Sequence, residues 1–189
     1  MTKPGFDRRS FLKFGALGAA AALTTSKPSL AAIPAASAFA NVRERSLSFY
    51  NLHTDENLKT VYWADGEYIP ESLAAINHHL RDYRNGEVHQ IHPGLLDLLC
   101  ELRMKLDTTA RSEWISGYRS AATNAMLHSK SDGVAQHSLH LQGMAADIRI
   151  PQRNLSFLRK TALSMKAGGV GYYPASQFVH VDVGRVRSW

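Results

Sequence analysis

Two stretches near the start of the folded region, "RSLSFYNLH" and "LKTVYWADG", alternate apolar and polar residues on either side of a turn-like "TDEN". A period of two belongs to a strand with one buried face, so this pattern predicts a β-hairpin. The period then changes. Pro70 opens "PESLAAINHHLRDYR", where Leu73, Ile76, Leu80 and Tyr83 recur at helical spacing and predict a helix over residues 70–84. "HPGLLDLLCELRMKLD" predicts a second helix, with Leu95, Leu98, Leu99, Leu102 and Leu106 on its buried side. After these come a strand running into a turn ("WISGYRS"), a helix ("AATNAMLHSK"), a strand ("GMAADIRI"), a helix capped by Asn154 ("LSFLRKTALSMK") and two short strands around Pro174 ("VGYYPASQFVHVDVG"). The pattern is mixed α and β, without internal repeats or low-complexity linkers.

Strand periodicity also assigns faces. In "MAADIRI", Met144, Ala146, Ile148 and Ile150 share the core face, which leaves Ala145, Asp147 and Arg149 on the other. In "FVHVDV", Val179, Val181 and Val183 face the core, and Phe178, His180 and Asp182 face away. Such a sheet carries a polar wall on one side and a packed core on the other.

Length bounds the whole. A chain of 189 residues, 44% of them hydrophobic, suits one ordinary core. Cys100, the single cysteine, lies in the apolar run "LLDLLCELRM" and reads as a core residue. The first 40 residues read differently. Arg8 and Arg9 are followed by Ser10, Phe11, Leu12 and Lys13 and then by a weakly apolar Ala/Gly stretch too short for an ordinary membrane anchor. The arrangement resembles a twin-arginine (Tat) export signal, which implies recognition by the Tat machinery and a periplasmic location. Ala38 and Ala40 offer an A-x-A cleavage pattern, so the expected division is a signal peptide over residues 1–40 and one domain over 41–189.

The signal accounts for most of the charge. Its five basic residues against Asp7 carry +4 of the chain's +6, leaving the domain only +2. No basic block interleaved with aromatics remains, which argues against nucleic acid as a partner. No feature of the sequence fixes an oligomeric state.

The candidate chemistry centres on "HSLHLQGMAAD", residues 137–147, which reads as a turn leading into a strand. Gly143 lets the chain turn between His140 and the strand carrying Asp147, so the two side chains can converge. With His180 they make a His, Asp, His set that suits a catalytic zinc, which takes three protein ligands and keeps a fourth position open. Spacing alone also allows surface histidines beside a salt-bridged Asp147.

The motifs narrow the choice. "SLHLQGMAAD" matches the S-x-H-x-x-G-x-A-x-D pattern of the zinc D-Ala-D-Ala carboxypeptidase and VanX/VanY peptidase superfamily through Ser138, His140, Gly143, Ala145 and Asp147. "SGYRS" and "FVHVDVG" resemble two further motifs of that superfamily. The run from "SLSFYNLHT" to "GVGYYPASQFVHVDVGRVRSW" resembles its murein endopeptidase K (YcbK) subgroup, twin-arginine signal included. The resemblance implies an α+β fold of the zinc D,D-peptidase-like (hedgehog-type) kind, a small antiparallel sheet flanked by helices. It also implies zinc held by His140, Asp147 and His180, and hydrolysis of peptide cross-links in peptidoglycan, within the subgroup the L,D bond between two diaminopimelate residues. A D-amino acid carboxypeptidase, or a wall-binding module without hydrolysis, are the alternatives.

One position departs from the superfamily. Many members place a Glu three residues before the last zinc histidine as general base, and here Gln177 stands there and cannot ionise. Asp182, sharing a strand face with His180, is the candidate base or, equally, a carboxylate that fixes the histidine ring. Arg119 in "GYRS" is a candidate for contact with a developing oxyanion or a substrate carboxylate. His137 is a candidate for substrate contact, for support of His140, or for the base should Asp182 not serve. His53, His78, His79, His89 and His92 read as surface or capping residues, and His128 reads as similarly ordinary unless it lines the groove. Tyr172 and Tyr173 suit either an aromatic wall or core packing.

Overall fold

A computed structural model describes Phe39, residues 42–131 and residues 133–189. The predicted hairpin is β1 (Glu44–Asn51) and β2 (Asn57–Ala64), extended by the two-residue β3 (Glu67–Tyr68). Helices α1 (Pro70–His79) and α2 (Pro93–Lys105) follow, then β4 (Ser112–Ser116) and α3 (Ala121–His128). A short 3-10 helix (Leu139–Gln142) leads into β5 (Ala145–Arg149). The chain closes with α4 (Leu155–Met165), β6 (Gly169–Tyr173), β7 (Phe178–Asp182) and β8 (Arg187–Ser188).

Among the described residues the eight strands form one sheet in the order β3-β2-β1-β4-β5-β7-β6-β8. The expected α+β class holds, with a sheet larger and more mixed than the hairpin-based reading: β1 pairs with β4 and β6 with β8 in parallel, and the other pairings are antiparallel. Helices α1, α2 and α4 pack against the sheet. On that side lie Leu47 and Phe49 of β1, Trp114 of β4, Ile148 of β5, and Val179 and Val181 of β7, all buried. From α2 they meet Leu95, Leu96, Leu98, Leu99 and Leu102. Each such leucine contributes about 1.5–3 kcal/mol by leaving water. Cys100 is buried there too, as expected, and burial pushes its thiol pKa up. Asn154 caps α4, its Oδ1 accepting from the Ser156 amide at 2.8 Å. Among the described residues no helix is long and apolar enough to cross a membrane.

Two expectations are corrected. The first helix ends at His79, short of residue 84, because Leu80 and Asp82 are claimed by tertiary partners: Leu80 O accepts from the Tyr118 amide and Asp82 Oδ2 from the Ser120 amide. His79 is no surface residue but is buried and stacked on Phe49 with ring centroids 5.9 Å apart. The turn expected before Gly143 is a 3-10 helix, Leu139–Gln142. His92 does cap α2, its Nδ1 accepting from the Gly94 amide at 3.1 Å. The expected signal segment lies outside the described residues apart from Phe39, whose buried ring sits 4.1 Å from the Arg45 guanidinium.

Candidate metal centre

Asp147 of β5 and His180 of β7 are direct cross-strand partners, and their valine, alanine and isoleucine neighbours turn into the core. Both polar side chains therefore emerge side by side on the other face. His140 arrives from the 3-10 turn, whose first amides are satisfied by the Ser138 hydroxyl at 3.3 Å from the His140 amide. Gly143 ends that turn in the left-handed region, at φ 63°, with the Gln90 carbonyl so close that no Cβ would fit. The His92 amide donates to the Gly143 carbonyl at 2.9 Å and ties the turn to the start of α2.

The three side chains then meet. His140 Nε2 lies 3.3 Å from His180 Nδ1 and 3.3 Å from Asp147 Oδ2, and His180 Nδ1 lies 2.8 Å from Asp147 Oδ1. One ligand atom from each lies within 4.8 Å of the others, and all three residues are buried. The far nitrogen of each ring is already engaged: His140 Nδ1 donates to the Gly117 carbonyl at 2.7 Å, and His180 Nε2 to Asp182 Oδ2 at 3.0 Å. That leaves two imidazole nitrogens and a carboxylate aimed at one point. A carbonyl and a carboxylate behind two metal-facing histidines are the usual supports that fix ring orientation in a zinc site, so the residues fit that ion.

Without metal, protons take its place. Burial alone would lower the His180 pKa, but hydrogen bonds to Asp147 and Asp182 outweigh it and push the pKa up to about 8. Burial would raise Asp147, yet the charge and hydrogen bond of His140, with that of His180, hold it well below the usual carboxylate range. Asp182 is held low as well, burial being outweighed by hydrogen bonds from His180 and Arg187 and from the Gly184 and Gly169 amides. The raised His180 contributes stability that is full below its ordinary 6.5 and lost as pH rises through about 8. The lowered aspartates contribute stability above their ordinary 3.8 that is lost on acidification. The unfolding free energy of metal-free protein, read from denaturant titration, should therefore be highest between about pH 4 and 6.5 and fall by about 2 kcal/mol by pH 9. An unfolding free energy that rises between pH 6.5 and 9 would contradict the raised pKa of His180.

Asp182 is equally a candidate base and a candidate for fixing the histidine ring, and its surroundings bear on that choice. Its carboxylate is fully buried and saturated: Arg187 reaches both oxygens at 3.0 and 2.7 Å, the Gly169 and Gly184 amides donate to Oδ1 at 3.0 and 2.9 Å, and His180 takes the remaining side of Oδ2. No acceptor site is left for a proton from substrate or water. The contact with His180 Nε2 at 3.0 Å is the geometry that the second of the two roles requires.

A cavity of about 460 Å³ opens over the three ligands and is lined by Arg119 and His137 among others. Arg119 stands 3.9 Å from Asp147 Oδ2, anchored by the Asn124 side chain at 3.3 Å and the Ser116 hydroxyl at 3.4 Å. Burial lowers its pKa. Its amide donates to the His140 carbonyl at 3.1 Å, so "GYRS" serves the site twice, Gly117 holding the His140 ring and Arg119 the rim. His137 is exposed on the cavity wall. Gln177 turns away to donate to the Pro174 carbonyl at 2.6 Å. His128 bonds the Val134 carbonyl and does not line the cavity, and the two tyrosines split, with Tyr173 on the cavity wall and Tyr172 packed against the core. The sequence reading assigned no role to Arg187, Phe178 or Trp189, which all line the cavity. The only hint is their place in the "FVHVDVG" and "GRVRSW" segments.

Comparison with known proteins identifies the family. A family model described as peptidoglycan L,D-endopeptidase MepK matches residues 39–189. The chain is 43% identical, over the full length of both, to the peptidoglycan L,D-endopeptidase MepK of Escherichia coli K12 and to that of Shigella flexneri. It is 40% identical to the probable peptidoglycan L,D-endopeptidase MepK of Haemophilus influenzae, covering 78% of this chain and 80% of that one.

Proposed function

The chain belongs to the peptidoglycan L,D-endopeptidase MepK family, and on that premise we propose that this peptidoglycan endopeptidase works with one zinc ion held by His140 Nε2, an Asp147 oxygen and His180 Nδ1. The bond it cuts is the L,D amide joining two diaminopimelate residues of neighbouring stems. The observation that carries the zinc reading is the convergence of two imidazole nitrogens and a carboxylate whose far sides are already held by Gly117 and Asp182. Bound there, zinc supplies Lewis acidity to the scissile carbonyl.

The chain's own residues account for the remaining needs of amide hydrolysis. Water adds to the carbonyl carbon, the C–N bond breaks, and a proton must reach the departing amine. His137, exposed on the cavity wall, accepts the proton from water and returns it to that nitrogen, taking the role that neither Gln177 nor Asp182 can fill. Arg119, fixed by Asn124 and Ser116, faces the negative charge that develops on the carbonyl oxygen or the carboxylate beside the scissile bond.

The reading is tested by incubating purified protein with cross-linked muropeptide dimers and following products by mass spectrometry. Dimers joined through diaminopimelate should fall to monomers, chelator should stop the reaction and zinc restore it. Release of single terminal D-amino acids with the cross-link intact would mark a carboxypeptidase instead. In the same assay His137→Ala should lower kcat by roughly 10²–10⁴-fold with zinc content unchanged. Arg119→Ala should lower kcat by about 10²-fold or more and raise KM as well. Full activity in both would remove these two residues from the mechanism.

Export by the twin-arginine route to the periplasm, where the substrate lies, follows from Arg8 and Arg9 and the Ser-Phe-Leu-Lys after them. Replacing both arginines with Lys keeps the charge and should strand the precursor in the cytoplasm. Normal periplasmic recovery of that variant would show another route.

A further inference from the structure

Part of the cavity wall is aromatic. Tyr173 and Phe178 stack with ring centroids 4.5 Å apart, and Trp189 Nε1 donates to the Tyr173 hydroxyl at 2.8 Å. The Trp189 ring leans on His180 at 5.3 Å, and the Arg187 guanidinium stands over it, 4.8 Å from its centroid. Its position is built into the sheet: β8 ties it down through Trp189 N to Val170 O and Tyr172 N to Trp189 O, and Gly171 leaves it room, since a Cβ there would come 2.8 Å from the indole. Trp189 nevertheless remains 47% exposed. A large apolar ring seated on a glycine, with its only polar atom satisfied by a neighbouring residue of the same wall, presents apolar surface and no donor to whatever enters.

The charges around it select the occupant. Besides the aromatic wall, the cavity carries Arg119, His137 and Arg187, whose charge Asp182 already meets, and among the described residues its one side-chain carboxylate is Asp147, engaged by the two histidines. An incoming group that matches both features has a run of methylenes and carries carboxylate. We propose that Tyr173, Phe178 and Trp189 form a subsite for the methylene arm of a diamino dicarboxylic acid, the arm of the diaminopimelate residue next to the scissile bond. The subsite makes the enzyme selective for stems that carry this arm over stems with a short side chain at the same position. This assignment rests on the peptidoglycan reading above for the identity of the substrate.

The test uses zinc-loaded mature protein, with Trp189→Ala and Trp189→Phe beside the wild type. Binding of the stem tripeptide ending in diaminopimelate, and of the same tripeptide ending in alanine, is measured by calorimetry, so the answer does not depend on turnover. The wild type should prefer the diaminopimelate peptide by roughly 10–100-fold, Trp189→Ala should lose most of that preference, and Trp189→Phe should recover part of it. With cross-linked dimer, Trp189→Ala should raise KM more than it lowers kcat, at wild-type zinc content. Equal binding of the two peptides by wild type, or an undiminished preference in Trp189→Ala, overturns the subsite. Loss of zinc from Trp189→Ala with peptide preference intact also overturns it, because the ring would then serve His180 alone. Should the wild type bind the diaminopimelate peptide selectively yet leave the dimer uncut, the subsite stands and the hydrolytic reading fails.

Discussion

Asp147→Ala is expected to empty the site: zinc content should fall from about one ion per chain to near none, and hydrolysis by at least about 10³-fold, because one of three ligands and the only anionic one is gone. The fold should survive. Asp147 is buried beside two histidines, and removing one partner of a buried ion pair can cost about 3–5 kcal/mol when it strands a charge. Here the stranded groups are imidazoles, which can release a proton, and His180 keeps Asp182 at 3.0 Å. His140→Ala should behave alike, with its Gly117 anchor simply left to water. Metal analysis by mass spectrometry, with circular dichroism to follow the fold, reads both effects. Undiminished zinc in both variants would sink the ligand assignment.

Asp182→Ala carries the larger structural cost. It removes the partner of an arginine that cannot discharge, and it strips two backbone amides and His180 Nε2 of their acceptor in a fully buried spot. Destabilisation of about 3–5 kcal/mol is expected in denaturant titration. Asp182→Asn keeps the shape and one acceptor oxygen, so it should fold, yet bind zinc some 10–100-fold more weakly in chelator competition, because the His180 ring loses its charged anchor. Activity of the Asn variant should return when zinc is supplied in excess. If it instead holds zinc as tightly as the wild type and fails only in turnover, Asp182 is the proton acceptor after all and the positioning role is wrong.

The sequence carried the outline of this site because its two strands obey a simple period. Val179 and Val181 on one face leave His180 and Asp182 on the other, and the same count puts Asp147 opposite Ala146 and Ile148. Register was not readable: that Asp147 sits directly across from His180 depends on β5 and β7 pairing, and no local pattern specifies that neighbour. Alternation likewise counts faces and says nothing of saturation, so Asp182 looked as available as His180 until Arg187 and two glycine amides were found around it. Arg187 and Trp189 sit on or beside a two-residue strand, too short to show any period, and reach the site only through its parallel pairing with β6. The early end of α1 has a similar origin, since helical spacing continues to Tyr83 while Leu80 and Asp82 are held by the "GYRS" segment.

The central claim is that His140, Asp147 and His180 hold one zinc ion with His180 bound through Nδ1. Crystals of the zinc-loaded protein, measured above and below the zinc absorption edge, test it directly. The account predicts a single anomalous peak about 2.0–2.2 Å from His140 Nε2, an Asp147 oxygen and His180 Nδ1, with the His180 Nε2 bond to Asp182 kept. A peak elsewhere, or zinc on His180 Nε2 with Asp182 displaced, would contradict it.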